Sequence, residues 1–271
     1  MRAMVMLDVN GTSLYYEDTG PGSTGETIVF SHGLLWGTEL FAPQIAALRS
    51  RYRCIAWDHR GQGRSAADPH RHCIGMELVS QDAVALLDAL GVTQVHFVGL
   101  SMGGFVAMRT AARRPDLVDR LILLETSCEP EPVENVGRYR VLTAIYRTIG
   151  PRVVARRVAS IMLGRSILAD PARKAEVAGF VTLMTRRRDT WKAVNGVIDR
   201  AGIAADELAR IAVPTLIAVG EEDVATPLVK AQRIAASIRG SRLITIPRAG
   251  HSSSVEEPAA VTAALEGFLG S

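Results

Sequence analysis

The run HFVGLSMGGFVAMRTAARRP, residues 96–115, sets Ser101 between glycines, directly after an apolar stretch and directly before a helical pattern. Gly99-Leu100-Ser101-Met102-Gly103 is a G-x-S-x-G sequence in the strand–turn–helix setting that gives it chemical meaning. Only neighbours without a Cβ tolerate the strained turn this setting demands. The turn lifts Oγ off the sheet, near a helix N-terminus whose dipole favours developing negative charge. Ser101 is therefore a candidate nucleophile.

A serine hydroxyl attacks well only when a base takes its proton. Of six histidines, His251 in IPRAGHSSSVEEP follows the last apolar strand and precedes the last helix, so it faces the sheet edge that carries Ser101. His96 lies inside a strand and reads as a packed residue, whereas His70 and His72 sit in a polar loop. The base needs a carboxylate to hold its tautomer and stabilise the imidazolium. Asp223, in AVGEEDVATP, ends the preceding strand and reaches the same edge. Glu125, at the end of LILLE, is the alternative acid, because the strand after the nucleophile also ends there. Glu221 and Glu222 read as solvated turn residues. Two backbone donors complete the set: the N–H of Met102, and the N–H of Leu34 in the loop after TIVFS. Such donors contribute roughly 3–4 kcal/mol each to an oxyanionic transition state. His32 reads as a brace for that loop.

These groups require a scaffold whose strand ends meet at one edge. TIVFSHG (27–33), RCIAWD (53–58), VHFVGLS (95–101), RLILLET (120–126), TLIAVGEED (215–223) and RLITIPRAGH (242–251) read as strands. Helical patterns at 77–91, 102–115, 228–240 and 258–269 alternate with them. That alternation predicts a parallel sheet covered on both faces. Asn10-Gly11 predicts a tight hairpin turn near the N-terminus. Between about Thr126 and Leu208 the alternation stops and every pattern is helical. This gives a core of 1–125 and 209–271 with an insertion of 126–208.

The chain has 271 residues, 48% hydrophobic and 22% charged, which suits one globular unit of this kind. Its net charge of +3 is too small to imply nucleic acid. The insertion carries 14 Lys+Arg against 9 Asp+Glu, leaving 17 against 19 elsewhere, so the basic excess is local. Arg186-Arg187-Arg188 and Arg156-Arg157 read as a solvated helix face, with an anionic substrate or membrane surface as the weaker alternative. Three widely spaced cysteines suggest neither a disulfide framework nor a metal site, and fit free thiols in a reducing cytoplasm. No signal peptide or bilayer-spanning run is apparent.

The motifs SHG, FAPQIAAL, WDHRGQGRS, GLSMGG, GEEDVATP and AGHSSSVEEP, in this order and spacing, resemble the α/β-hydrolase superfamily along nearly the whole chain. The HGLLWGTELFAPQ register is similar to that of enol-lactone hydrolases and small carboxylesterases, and the SMGG elbow to that of cofactor-free perhydrolases. The resemblance implies an α/β fold with an eight-stranded, mostly parallel sheet, helices on both faces and the insertion as a cap over the site. Ser101 departs from the aspartate nucleophile of haloalkane dehalogenases and epoxide hydrolases. Phe41 stands where enol-lactone hydrolases commonly carry tryptophan, which suggests a different pocket wall. Within WDHRGQGRS, Asp58 and Arg60 read as structural.

The expected activity is hydrolysis of a small carboxylic ester or lactone through an acyl-enzyme, without a metal or cofactor, and without nucleic-acid or membrane partners. C–C bond hydrolysis, perhydrolysis and slow-turnover ligand reception are compatible with the same residues. Trp36, Cys128, Met162, Leu163, Phe180, Leu183, Met184 and Trp191 are candidate pocket residues. The sequence does not set the oligomeric state.

Overall fold

A computed structural model describes residues 5–187 and 189–270, so Arg188 lies outside the described residues. Eight strands form one sheet: β1 (Val5–Val9), β2 (Thr12–Asp18), β3 (Thr27–Ser31), β4 (Arg53–Trp57), β5 (Val95–Leu100), β6 (Val118–Leu124), β7 (Thr215–Gly220) and β8 (Arg242–Ile246). Their spatial order is β1-β2-β4-β3-β5-β6-β7-β8. β1 and β2 form an antiparallel hairpin, and β2 runs antiparallel to β4. Every other pairing is parallel. Asn10 and Gly11 both take positive φ at the hairpin, as a type I′ turn requires.

Alternation along the strands divides the core in two. Val29, Phe97, Leu121, Leu123, Ile217 and Val219 point to one face of the sheet. Helices α2 (Met76–Ala89), α3 (Met102–Arg113) and α10 (Leu228–Ser237) contribute to that cluster. Phe30, Val98, Leu100, Ile122, Leu124 and Ala218 point to the other, where α1 (Ala42–Leu48) and α12 (Pro258–Leu269) pack. A parallel sheet buried on both faces needs such continuous apolar runs. β5 is buried at every position, which makes it a rigid base for the turn that follows it.

Between β6 and β7 the described residues form helices only: α4 (Val133–Thr148), α5 (Ala155–Met162), α6 (Arg165–Ala169), α7 (Lys174–Met184), α8 (Trp191–Ile198) and α9 (Ala205–Leu208), with short 3-10 turns. The long patterns match α4, α5, α7 and α8. The five-residue α6 and four-residue α9 fall below the length at which periodicity is legible. α11 (Ser253–Glu256) is a single turn after the last strand loop.

One expectation is corrected here. α7 ends at Met184, so Arg186 and Arg187 leave the helix and turn toward the loops that follow β3 and β4 instead of forming a solvated helix face. Arg186 pairs with Glu39 at 3.0 Å. Arg187 pairs with Asp189 and donates from one nitrogen to the carbonyls of Gln62, Gly63 and Ser65. Those carbonyls are uncoupled from any strand ladder, so a planar cation with several donors is suited to satisfying them. Arg156 and Arg157 are exposed as expected.

Candidate active site

Ser101 sits between the end of β5 and the first residue of α3 with φ 53° and ψ −111°, a conformation rarely adopted by a residue with a Cβ. Close packing holds it there. A Cβ on Gly103 would overlap the Ser31 carbonyl, and one on Gly99 would overlap the Gly103 carbonyl. A Cβ on Gly104 would meet Thr126 Oγ1 at 2.5 Å. These glycines let α3 lie against β3 and β6. The Ser101 backbone is tied on both sides: its N–H donates to Leu124 O at 2.9 Å, and Thr126 Oγ1 donates to its carbonyl at 2.8 Å.

The Ser101 hydroxyl lies 2.8 Å from His251 Nε2, and His251 Nδ1 lies 2.9 Å from Asp223 Oδ2 and 3.1 Å from Oδ1. With the proton on Nδ1, the imidazole donates to the carboxylate and accepts from the serine. Asp223 and His251 come from the ends of β7 and β8, which pair in parallel up to Gly220 and Ile246. Burial pushes the Asp223 carboxyl up. The facing His251, with hydrogen bonds from His251 and Thr226, outweighs that and holds it below its ordinary value. Asp223 also accepts from the N–H groups of Ala225 and Thr226 and from the Thr226 hydroxyl. A carboxylate with that many donors stays ionised and fixed in orientation.

Glu125, the alternative acid, is placed differently. It is fully buried at the tip of β6, and its Oε2 accepts from Ser253 Oγ at 2.9 Å. Its Oε1 has no hydrogen-bond partner among the described residues. Burial, then the neighbouring Asp223 charge, push its carboxyl well above the usual carboxylate range. His251 has its hydrogen bonds with Asp223.

The loop after β3 lies beside the serine: a Cβ on Gly33 would stand 3.5 Å from Ser101 Cβ. Leu34 and Leu35 line the same cavity as Ser101. The Leu34 N–H has no backbone acceptor among the described residues. Met102, first in α3, is one of the four N-terminal residues of a helix whose N–H groups lack an intrahelical partner. His32 Nε2 accepts from the His59 N–H at 2.9 Å, and Nδ1 contacts Gly33 O at 2.7 Å. Burial lowers its pKa to about 3, so it is neutral.

Two residues that shape the site carry little signal in the sequence, and a third, Glu222, departs from its expected place. Gln62 accepts from the Leu35 N–H at 2.8 Å and contacts Met102 Sδ at 3.3 Å, linking the two candidate oxyanion segments. Glu256 accepts from the N–H groups of Gly164, Gly250 and Ser252, fixing the His251 loop. Glu222 is no solvated turn residue: its side chain accepts from Ser166 N–H and Oγ at the start of α6. The cue in sequence was thin, a glutamine inside WDHRGQGRS and acids beside the proposed acid and base. Asp58 and Arg60 are structural: Asp58 accepts from the Thr38 and Arg64 N–H groups, and Arg60 forms a two-pronged pair with Asp82.

Ser101 and His251 open onto a cavity of about 150 Å³, a size that in an apolar setting holds a benzene-sized group. Leu142, Val158, Ile161, Met162 and Val194 of the helical segment form much of its wall. Of the expected pocket residues, Met162 is there and the others are not among its lining. Trp36 is buried beneath, donating to Ser252 Oγ and meeting Phe180 edge-on. Leu163 and Met184 are buried in the core, and Leu183 packs against it. Cys128 is buried in the cluster that α3 packs against. Trp191 stacks on His72. Phe41 is core, packed on Phe30, and forms no pocket wall. Large apolar side chains in this segment were used to attach it to the sheet. Among the described residues, no group of three His, Cys, Asp or Glu is arranged to hold a metal, and no helix is long and apolar enough to cross a membrane.

The fold and this site define the class: residues 28–265 match the model of the alpha/beta hydrolase family, and the chain belongs to that family. Among particular relatives, "Putative carbamate hydrolase RutD" of Caulobacter sp. (strain K31) is 29% identical, with 94% of this chain and 95% of that protein aligned. The enol-lactonase from Burkholderia xenovorans LB400 superimposes with a TM-score of 0.88 at 27% identity, covering 98% of this chain and 100% of that one. A thermophilic esterase from Thermogutta terrifontis does so with the same score and identity, over 98% and 97%. Together they support a hydrolase activity.

Proposed function

We propose that the protein is a cytoplasmic serine hydrolase of small carboxylic esters or lactones, with residues 126–208 acting as a cap. Ser101 attacks the substrate carbonyl while its proton passes to His251 Nε2. Asp223 stabilises the imidazolium that forms. The N–H groups of Leu34 and Met102 hold the tetrahedral oxyanion. Collapse breaks the bond to the alcohol oxygen, which takes the proton from His251 and leaves the acyl group on Ser101. His251 then deprotonates water, which attacks the acyl-enzyme, and a second collapse restores the serine and releases the acid.

The observation that carries this reading is the unbroken hydrogen-bonded chain Ser101–His251–Asp223 at the mouth of an apolar cavity. The enol-lactonase and esterase names of similar structures support the substrate class. Two buried cysteines and an exposed one, all unpaired, support a reducing compartment. A carbamate, the substrate class in the Caulobacter relative's name, would be attacked by the same groups. The wall of aliphatic side chains suits an alkyl-bearing ester better.

Fluorophosphonate labelling, run beside a p-nitrophenyl ester chain-length series and a lactone panel, tests the proposal. The expected result is one labelled site, lost in Ser101→Ala, and steady turnover of short esters or lactones. Labelling of Ser101 without turnover of either class would retain the nucleophile and overturn the substrate class. Absence of both would remove the serine mechanism.

A further inference from the structure

Among the described residues the cavity wall carries one cation. Arg200, just after α8, lines the same cavity as Ser101 and His251, and its residue is only 7% exposed. Its donors are unevenly used. Nε donates to Glu129 O at 3.0 Å, and Nη1 donates to Glu131 Oε2 at 2.9 Å and to Val197 O at 2.7 Å. Nη2, with two N–H groups, has no hydrogen-bond partner among the described residues. The guanidinium lies over the Phe105 ring, 4.5 Å from its centroid. Tyr139, whose hydroxyl likewise has no partner among the described residues, also lines the cavity.

Nη2 is not sealed from solvent, so this donor is open to an acceptor that enters the cavity and takes the place of water there. Phe105 follows Ser101 by one turn of α3, a rise of about 6 Å. Arg200 therefore stands against the α3 residue one turn beyond the nucleophile, in the same cavity. The charge is already balanced: Glu131 faces Arg200, and its second oxygen accepts from Asn135. A substrate carboxylate would crowd a second anion around a cation already paired in a poorly hydrated site, whereas a neutral acceptor takes the hydrogen bond without adding charge.

We propose that Arg200 Nη2 and the Tyr139 hydroxyl form a polar subsite that selects esters or lactones carrying a neutral oxygen acceptor, a ketone or hydroxyl, on the acyl chain away from the scissile carbonyl. The inference rests on the serine-hydrolase reading and names the substrate feature that this site recognises.

The test compares p-nitrophenyl pentanoate, hexanoate and heptanoate with the 4-oxopentanoate, 5-oxohexanoate and 6-oxoheptanoate esters, with the p-nitrophenyl hemiglutarate as the anionic arm. The wild-type protein is expected to favour at least one oxo ester over its alkyl partner by about tenfold in kcat/KM, the value of one hydrogen bond from a charged donor. Arg200→Met should bring that ratio to about one. Because this variant leaves the half-buried Glu131 without its cation, Arg200→Met/Glu131→Gln is measured beside it, and the same collapse of the ratio is expected. The ratio between paired substrates is the readout, so a general loss of rate does not imitate the effect. A wild-type ratio near one at all three lengths, or a ratio unchanged in both variants, would overturn the subsite. Preference for hemiglutarate over every oxo ester would overturn the neutral class. Failure to hydrolyse any of these esters would instead overturn the ester reading beneath it.

Discussion

At the scale of single residues, Asp223 and Glu125 are buried carboxyls at the ends of neighbouring strands, and their surroundings set them apart. Asp223 has four donors and is held ionised; Glu125 has one and is pushed toward the neutral acid. Asp223→Asn is expected to lower kcat about 10⁴-fold, since the amide favours the wrong imidazole tautomer. Glu125→Gln should leave kcat within a few-fold, because a neutral amide imitates the protonated acid. If Glu125→Gln alone abolished turnover, the assignment of the acid would be wrong. The glutamate also makes a stability prediction. A carboxyl whose folded pKa is raised takes up protons on folding, so its favourable contribution is complete below the unfolded value near 4.5 and is lost as pH climbs toward the folded value. Urea melts should therefore show Glu125→Gln gaining on the parent protein as pH rises from 5 to 8. A constant difference would mean that Glu125 is ionised in the folded protein.

At the scale of elements, the decisive contact is α3 against β3. Gly103 was legible as part of the G-x-S-x-G pattern, and its packing partner, the Ser31 carbonyl, was not, because that contact joins residues far apart in the chain. Gly103→Ala places a Cβ where backbone already stands. The expected cost is about 1–3 kcal/mol in urea unfolding, with an unchanged m value and a larger loss of kcat than of substrate binding. A variant as stable and active as the parent would show that α3 can slide without disturbing Ser101. The strands and long helices were readable for the same reason that they are stable: burial on one or both faces imposes a period on the sequence. The hairpin was readable because Asn-Gly fits positive φ. α6 and α9 were not, being too short to show a period, and α6 is held by Glu222 and Glu256 from distant loops.

At the scale of the whole molecule, the helical segment is attached to the sheet by specific polar tethers as well as by apolar packing. Arg187 satisfies three carbonyls of the 62–65 turn, and Lys192 donates to Asp68 O at 2.5 Å. Arg173 reaches the Val255 and Glu256 carbonyls beside the His251 loop. Arg187→Met should loosen this attachment, with faster amide exchange in α7 and α8, unchanged protection in β5 and β6, and a rise in KM exceeding any fall in kcat. Uniform exchange changes across the sheet would assign Arg187 to global stability instead.

The sequence by itself determined the chain's class, its order of strands and helices, the Ser101 turn and the two strand ends that supply His251 and Asp223. Each of these is encoded locally, by period, by glycine, or by position after an apolar run. Only the tertiary structure decided which carboxyl faces the histidine, which side chains line the cavity, and that Arg187 binds backbone instead of facing solvent. Those outcomes depend on how elements far apart in the chain pack. Leu, Met and Trp can be core or pocket wall, and an arginine can be solvated or buried, with the same spacing along the chain.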